Sequence, residues 1–247
     1  MGFNILHFEL LTQLLPKINN RPIELISMGT PDILMSFSHI KKHFGDEKFL
    51  QPIYRPDSTE VKKRHGITNN DEILDSEYFF KEIGVDLSVL DVEVFNGSEI
   101  ICDLNEPISA NLKNKYDIVL DAGTLEHCFN VGQCIKNFLS LAKTGGFIFH
   151  SNPLFMINHG FYNLNPTFYT DFYRDNGHKL VTPIYWAKVY NGGYSCEVGE
   201  LPPRKRYQMP DKEKAEDSSI WVIAKKNHDK DPFWPTQSKY KKLLNQA

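Results

Sequence analysis

Side chains that can accept or donate a proton are concentrated in one short stretch, residues 121–127, of the 247-residue chain. The stretch contains the carboxylates of Asp121 and Glu126, the hydroxyl of Thr124 and the imidazole of His127. An imidazole titrates close to neutral pH, so His127 is a candidate base for proton removal from a substrate. The other interpretation, a histidine at a helix start that packs beside a ligand, stays open.

The neighbouring residues indicate that this stretch lies at the end of a buried strand. Residues 118–120 are a continuous apolar run, which is typical of a parallel strand buried on both faces. A helical pattern follows at residues 131–142, and a second apolar strand is predicted at residues 147–149. This strand–helix–strand unit should bind ligands at the carboxyl ends of its strands. The second strand also ends in polar residues, His150, Ser151 and Asn152.

Strands and helices alternate along most of the chain, which favours a parallel sheet with helices on both faces. A turn at residues 28–32 is predicted to lead into a helix that extends to about residue 44, with Thr30 as its N-cap and Pro31 at its first position. The polar region 45–70 is predicted to be a long loop with one short helix, placed as a lid or substrate loop. The other predicted strands are 22–27, 87–92, 98–102, 179–189 and 218–224, and the other predicted helices are 1–15, 71–83 and 167–175.

Composition indicates one domain with additions at its ends. The chain is 41% hydrophobic and has a net charge of −3, which excludes a strongly basic nucleic-acid-binding surface. The short basic clusters at residues 62–64 and 204–206 are interpreted as solvated loop faces. The predicted organisation is a capping helix at residues 1–22, a main domain at 23–224 with loop insertions near 45–70 and 191–217, and a charged tail at 225–247.

Cysteine and histidine spacing predicts no metal site. The four cysteines have no Cys-x-x-Cys spacing, and His39 and His43, four apart on a predicted helix, lack a third ligand. The cysteine pattern also indicates no disulfide framework, which fits a reducing, cytoplasmic location. No apolar run approaches the roughly 20 residues needed to span a membrane, so no membrane partner is expected. No nucleic-acid partner is expected either, because the chain has no strongly basic character.

Residues 117–127, an acid followed after a few residues by Glu-His, resemble the post-strand motif of the class I S-adenosylmethionine-dependent methyltransferases. The Lys-Thr-Gly-Gly turn at residues 143–146 is similar to the Lys-Pro-Gly-Gly turn before the fifth strand of that family. The resemblance covers residues 23–224. It implies a Rossmann-like α/β fold with a mostly parallel, seven-stranded sheet between two helical layers. It also implies S-adenosyl-L-methionine as donor and S-adenosyl-L-homocysteine as product.

The resemblance further implies which residues hold the donor. Gly29 matches the first glycine of the family's first motif, but Ser27 stands where an acid is expected and Pro31 where the second glycine would be. A glycine lets the donor approach the backbone, and a following helix start would offer N–H groups to its carboxylate. Asp91 matches the acid that accepts hydrogen bonds from the ribose hydroxyls, with Glu93 as the register-shifted alternative.

Two more positions complete the implied donor site. After the third strand, Asp103 and Leu104 match the residues that contact adenine. After the fourth strand, the implied donor contacts are Asp121, Ala122, Gly123 and Glu126. Taken singly, each of these acids could instead cap a helix or form a turn.

The resemblance places the acceptor pocket in the aromatic stretch that follows the fifth strand, residues 155–173. His150 and His159 are second-rank candidates for the base, behind His127. The candidate acceptor-binding residues are Asn152, His159 and Tyr162.

The leading hypothesis is methyl transfer to a small-molecule acceptor, with a hydroxyl favoured over nitrogen or carbon. The aromatic stretch suits a sugar or another ring-bearing metabolite, so a role in carbohydrate biosynthesis is one expectation. The altered first motif supports an alternative, a catalytically degenerate relative that binds a nucleoside ligand or a partner protein. A nicotinamide-dependent oxidoreductase is disfavoured because no Gly-x-Gly-x-x-Gly follows the first strand. The oligomeric state stays open, with a homodimer as one assembly.

Overall fold

The structure is a computed structural model that describes residues 2–19, 21–45, 47–94, 97, 99–202, 207–208 and 215–241. The chain divides into two compact units. The first unit comprises Met1–Ile101 and Val189–Glu197, and the second comprises Cys102–Lys188 and Val198–Ala247.

The described residues between 2 and 101 of the first unit contain five strands, which pair in parallel, and four helices. Its elements in chain order are β1 (Gly2–Asn4), α1 (Ile5–Leu14), β2 (Ile23–Met28), β3 (Asp32–Leu34), α2 (Phe37–Phe44), α3 (Ser58–Arg64), α4 (Ser76–Glu82), β4 (Val85–Asp91) and β5 (Ile100–Ile101). In its larger sheet β4 pairs in parallel with both β2 and β5, and β1 and β3 form a separate parallel pair. The apolar side chains of β2 are buried, as expected for a central parallel strand.

The structure corrects the predicted course of the chain after Gly29. The predicted helix with Thr30 as N-cap and Pro31 at its first position is wrong, because β3 intervenes and α2 begins at Phe37 with Ser36 as its N-cap. Pairing of β3 with β1 and burial of its side chains outweigh the local Thr-Pro signal. Within the described part of the first unit, therefore, no helix starts directly after Gly29.

Other predicted boundaries in this unit are approximately right. The predicted strand 87–92 is observed as β4, and the helix predicted at 71–83 is shorter, because Asp75 caps α4 through its side chain. The long region 45–70 contains one short helix, α3, as predicted. Of the predicted strand 98–102, only β5 is observed, and Ser98 lies outside the described residues.

The second unit contains the predicted strand–helix–strand unit. Its elements in chain order are β6 (Tyr116–Asp121), α5 (Val131–Leu141), β7 (Ala142–Phe155), α6 (Pro166–Asp175), β8 (Lys179–Leu180), β9 (Ile184–Tyr190), β10 (Ser195–Leu201) and β11 (Ser218–Lys225). The outer ends of β9 and β10 belong to the segment assigned to the first unit. The strands β6 and β7 pair in parallel across α5, which confirms the predicted order.

The sheet of the second unit is mixed. Strand β11 runs antiparallel to β7, and both β8 and β9 run antiparallel to β11. An α/β fold is therefore confirmed, whereas a mostly parallel sheet of seven strands is not. Among the described residues, no helix has both the length and the apolar character needed to cross a membrane.

Candidate active site

Asp121, the last residue of β6, organises the polar cluster of the second unit. Its side chain is fully buried. Oδ1 accepts hydrogen bonds from the backbone N–H groups of Thr124 (3.0 Å) and Leu125 (3.1 Å). Oδ2 accepts from the ring Nδ1 of His150 (2.7 Å) and from the side-chain amide of Asn152 (3.0 Å). Four donors thus hold the carboxylate in place. Through its bonds to Thr124 and Leu125, Asp121 fixes the turn that leads to Glu126 and His127.

The structure does not favour His150 as a general base. The ring is fully buried between the side chains of Phe138, Tyr169 and Tyr173. Because a carboxylate only accepts, Nδ1 of His150 donates to Asp121, and Nε2 then lies 2.6 Å from the hydroxyl of Tyr173. Both ring nitrogens are engaged by protein groups, whereas a base must reach its substrate. His150 instead joins β6, β7 and α6.

Asn152 positions Glu126. Its side-chain amide donates to Oδ2 of Asp121 and to Oε2 of Glu126, each at 3.0 Å, while its carbonyl oxygen accepts from the hydroxyl of Tyr169. Asn152 is 1% exposed, so the structure places it behind Glu126 and away from solvent. That position does not favour the predicted contact between Asn152 and the acceptor.

Glu126 is a buried carboxyl group with one oxygen unused. Oε1 has no hydrogen-bond partner among the described groups, and the side chain is fully buried. Burial, together with the negative charge of Asp121, raises the pKa of Glu126 from 4.5 to about 8. The carboxyl group is therefore mostly protonated at neutral pH. Two glycines approach it closely, since a β-carbon at Gly160 would lie 2.9 Å from its Cγ and one at Gly123 would lie 3.3 Å from Oε1.

His127 and His159 lie beside the unused oxygen of Glu126. Nε2 of His159 is 3.5 Å and Nε2 of His127 is 3.8 Å from Oε1, and the side chains of both histidines are 48% exposed. Their ring centroids are 5.2 Å apart. Partial burial, followed by the charge of His159, lowers the pKa of His127 below its usual 6.5. The imidazole of His127 is therefore neutral and able to accept a proton at neutral pH.

A loop from the aromatic stretch brings His159 to this position. The backbone N–H of Phe161 donates to the carbonyl oxygen of Glu126 at 2.8 Å. The hydroxyl of Tyr162 donates to the carbonyl oxygen of Phe129 at 2.8 Å, so it braces the loop. The rings of Phe129 and Phe161 are in edge-to-face contact and are 71% and 64% exposed. Each of these apolar rings follows one of the two histidines by two residues in the sequence.

The predicted donor residues Gly29 and Asp91 line one cavity in the first unit. Gly29 directly follows β2, and Asp91 is the last residue of the neighbouring parallel strand β4. The N–H of Gly29 donates to the carbonyl oxygen of Leu90 at 2.8 Å. Gly29 has a φ of 88°, which favours glycine. The cavity has a volume of about 180 Å³. Its lining residues are Gly29, Thr30, Asp32, Arg55, Arg64, Asp91, Glu93 and Val94.

Two arginines in this cavity were not predicted. Arg55 is buried and donates to Asp32 at 2.6 Å and to Asp57 at 2.8 and 2.7 Å. Asp32 also lies 2.8 Å from Nε2 of His65 and 3.5 Å from Arg64. Burial alone would raise the pKa of Asp32, but the hydrogen bond with His65 and the positive charges around it lower the pKa below its usual value. Residues 62–64 were predicted to form a solvated loop face, but they lie on the helix α3, where Arg64 is 50% exposed and lines the cavity.

The remaining predicted donor residues occupy different environments. Pro31 is buried, and Leu104 belongs to the core of the second unit. Asp103 is exposed, and its Oδ1 accepts from the backbone and side-chain amides of Asn105 at 2.8 Å each, so it caps a turn. Ala122 is buried next to Asp121.

A larger apolar cavity in the second unit, about 1200 Å³, does not include the Glu126 cluster among its described lining residues. It is lined in part by the aromatic side chains of Phe155, Phe168, Phe172, Tyr207 and Trp234. The stretch 155–173, in which the resemblance places an acceptor pocket, supplies Phe155, Phe168 and Phe172. Tyr207 and Trp234 come from distant parts of the chain and were not predicted to line it.

Neither a protein-family model nor a curated protein sequence matches the chain. Among solved structures, it is similar to the CMeT domain of citrinin polyketide synthase, with 9% identity and a TM-score of 0.47 over 89% of this chain and 51% of that chain, about half its length. It is similar to a Haloferax volcanii protein described as a methyltransferase in complex with the Trm112 methyltransferase activator (9% identity, TM-score 0.43, 90% and 91% covered). A third similar structure is Burkholderia thailandensis 1,6-didemethyltoxoflavin-N1-methyltransferase with bound 1,6-didemethyltoxoflavin and S-adenosylhomocysteine (13% identity, TM-score 0.32, 78% and 84% covered).

Proposed function

We propose that the protein transfers a methyl group from S-adenosyl-L-methionine to a hydroxyl of a small molecule. One observation carries the proposal: Gly29 and Asp91 line a single cavity beyond the carboxyl ends of two neighbouring parallel strands. In α/β sheets this is where nucleotide-like ligands bind, with an acid at the second strand end accepting hydrogen bonds from the ribose. Both residues are the ones that the family resemblance assigns to the donor.

The chemistry of the cavity fits the polar part of this donor. Oδ1 of Asp91 accepts from the N–H of Val92 at 2.7 Å, which orients the carboxylate and leaves Oδ2 as the acceptor for ribose hydroxyls. Arg64, whose side chain is 50% exposed, can pair with the carboxylate of the donor's amino-acid portion. It would supply the positive charge that a helix start would otherwise provide. A cavity of about 180 Å³ is smaller than a typical ligand site of about 300–1,000 Å³, so it would hold part of the donor.

We assign removal of the acceptor's proton to His127 in the second unit. When bound, the donor supplies a methyl group already activated by its sulfonium, so the protein chiefly has to align the reactants, exclude water and accept a proton. His127 is half-exposed and its lowered pKa keeps it neutral at physiological pH. His159 is the second candidate, with the same exposure and a similar distance to Glu126.

The acceptor class is proposed from the surroundings of the two histidines. The exposed faces of Phe129 and Phe161 would stack on the apolar face of a sugar or another ring-bearing metabolite, while a hydroxyl on that ring is the group whose proton His127 accepts. A cytoplasmic role in carbohydrate biosynthesis is the corresponding biological proposal.

A second function has an observation in its favour. The chain enters β3 after Gly29 and has Pro31 where a second glycine would be, so the first motif of the family is altered in structure as well as in sequence. A protein that binds a nucleoside ligand without transferring a methyl group would tolerate this change.

Two measurements separate these functions. Calorimetric titration with S-adenosyl-L-methionine and S-adenosyl-L-homocysteine, with NAD as control, should show micromolar binding of the first two only. Incubation with methyl-labelled donor and a panel of hydroxylated sugars should then transfer label to one class of acceptor. Donor binding without transfer to any acceptor would favour the non-catalytic function, and an absence of donor binding would reject the methyltransferase proposal.

A further inference from the structure

Glu126, His127 and His159 bring three potential metal ligands together on one side of the second unit. The carboxylate oxygen and one nitrogen from each histidine all lie within 4.8 Å of one another. Nothing in the spacing along the chain indicated this set, because His159 is 32 residues from His127. The loop that carries His159 is held there by the hydrogen bond between Phe161 and Glu126, among other contacts.

The buried oxygen of Glu126 points to a missing partner. Buried carboxylate oxygens normally accept hydrogen bonds, yet Oε1 accepts none from the described groups although its side chain is fully enclosed. The two exposed imidazoles are the groups on its open side. A cation held by both imidazoles would give Oε1 the partner that it lacks among the described groups.

We propose that Glu126, His127 and His159 form a binding site for a divalent transition-metal ion. Two imidazoles and one carboxylate are a ligand set typical of Zn²⁺, Fe²⁺ and Co²⁺ sites that keep open coordination positions. Because both histidines are 48% exposed, those open positions face solvent and can take water or an oxygen of a ligand.

The present distances need only small adjustments to bind such an ion. Metal–nitrogen bonds of about 2.0–2.1 Å in a tetrahedral site place ligand atoms roughly 3.3 Å apart. The Oε1–Nε2 distances of 3.5 and 3.8 Å are close to that value. The two imidazole nitrogens, which lie within 4.8 Å of each other, must also approach, and both rings are 48% exposed.

Glu126 is also held by a hydrogen bond from a residue behind it, as metal ligands usually are. Asn152 donates to Oε2 of Glu126 and is itself held by Asp121 and Tyr169, so Oε1 is the oxygen directed at the histidines. Gly123 and Gly160 approach Glu126 so closely that larger residues would displace it. The carboxylate is therefore preoriented and the imidazoles adapt.

A bound ion would change the role of His127 in the proposed reaction. Nε2 of His127 cannot bind a metal and accept a proton at the same time. In the metal-bound protein the ion would lower the pKa of a coordinated hydroxyl, whose proton would then pass to solvent water instead of to the imidazole. This last step rests on the proposed function, whereas metal binding itself does not.

The test is metal binding by the full chain without donor or acceptor. Chelator-treated protein is titrated with Zn²⁺ by calorimetry and with Co²⁺ by visible absorption. We expect one ion per chain and a Co²⁺ spectrum typical of nitrogen and oxygen ligands.

Three variants locate the site. Glu126→Gln keeps the shape of the side chain and His159→Ala changes an exposed residue, and each should weaken Zn²⁺ binding more than the roughly 10- to 100-fold expected for loss of an outer-shell partner. His43→Ala, on α2 in the first unit, should leave binding unchanged. The proposal is overturned if the unaltered chain binds neither ion at millimolar concentration, or if Glu126→Gln and His159→Ala bind as tightly as the unaltered chain. Donor affinity, measured separately, reports on the methyltransferase proposal alone.

Discussion

Nδ1 of His150 donates a 2.7 Å hydrogen bond to Oδ2 of Asp121, and both side chains are completely buried. The bond joins the carboxyl end of β6 to the middle of β7. The other oxygen of Asp121, Oδ1, accepts from the N–H groups of Thr124 and Leu125. The buried Asp121 carboxylate therefore fixes the start of the turn that contains Glu126 and His127.

Replacement of Asp121 by alanine should therefore be strongly destabilising. The change leaves several buried donors without an acceptor, at about 1–3 kcal/mol each, so we expect a loss of roughly 3 kcal/mol or more in the free energy of unfolding measured by urea denaturation. Asp103→Ala is the control, because that acid is exposed and caps only a turn, and it should cost less than about 1 kcal/mol. Similar losses in both variants would contradict a central role for Asp121.

The raised pKa of Glu126 predicts a specific dependence of stability on pH. In the unfolded chain the group ionises near 4.5, and in the folded protein near 8. Between these values the folded protein holds the extra proton, so this group's contribution to the free energy of unfolding falls as pH rises from about 4.5 to about 8, by up to about 1.4 kcal/mol per pH unit. Above pH 8 the contribution levels off.

Glu126→Gln removes that dependence, because glutamine stays neutral. Urea denaturation at pH 5.5, 6.5 and 7.5 should show a flatter profile for Glu126→Gln than for the unaltered chain. Glu60→Gln, on an exposed face of α3, should keep the original profile. Parallel profiles for all three proteins would show that Glu126 ionises normally in the fold.

His127→Ala should lower the rate of methyl transfer with little change in donor affinity. A positioned general base contributes about 10²- to 10⁴-fold, so a fall in kcat within this range is expected. Because the pKa of His127 is lowered, the acid limb of the kcat/KM profile should lie below pH 6.5 and be lost in the variant. Equal losses in donor affinity and rate would make His127 a binding residue.

Asp91→Ala should weaken donor binding by about 10- to 100-fold, the loss expected for hydrogen bonds to a charged group. Calorimetry with S-adenosyl-L-homocysteine measures it directly. Asp86→Ala is the matched control, since Asp86 is an exposed acid on the same strand, β4. If Asp91→Ala binds normally and Glu93→Ala does not, the ribose contact belongs to Glu93.

Arg64→Ala should weaken binding of S-adenosyl-L-homocysteine about tenfold but leave binding of methylthioadenosine, which lacks the carboxylate, unchanged. The difference arises because Arg64 is assigned to the carboxylate of the donor alone. Lys63→Ala, the preceding exposed residue on α3, serves as the control. An equal effect on both ligands would move Arg64 away from the carboxylate.

Local pattern predicted the elements whose signals are strongest. The apolar run at residues 118–120 and the helical pattern after it are observed as β6 and α5, and the predicted helix at 167–175 is observed as α6 with Asn165 as its N-cap. These elements combine clear periodicity with a capping residue, so tertiary contacts reinforce the local preference. The region after Gly29 failed because pairing with β1, a non-local interaction, outweighs a Thr-Pro signal.

The sequence by itself determined where the chemistry is concentrated: the acids and the histidine of residues 121–127 follow a strand whose burial is evident from composition alone. Only the tertiary structure decided which of the predicted groups are available. Packing of α6 over β7 encloses His150, and Asn152 is turned towards Asp121 and Glu126. The loop after β7 brings His159 to Glu126. Burial and side-chain direction arise from contacts between residues that are distant in the chain. Such contacts cannot be predicted from the spacing of residues along the sequence.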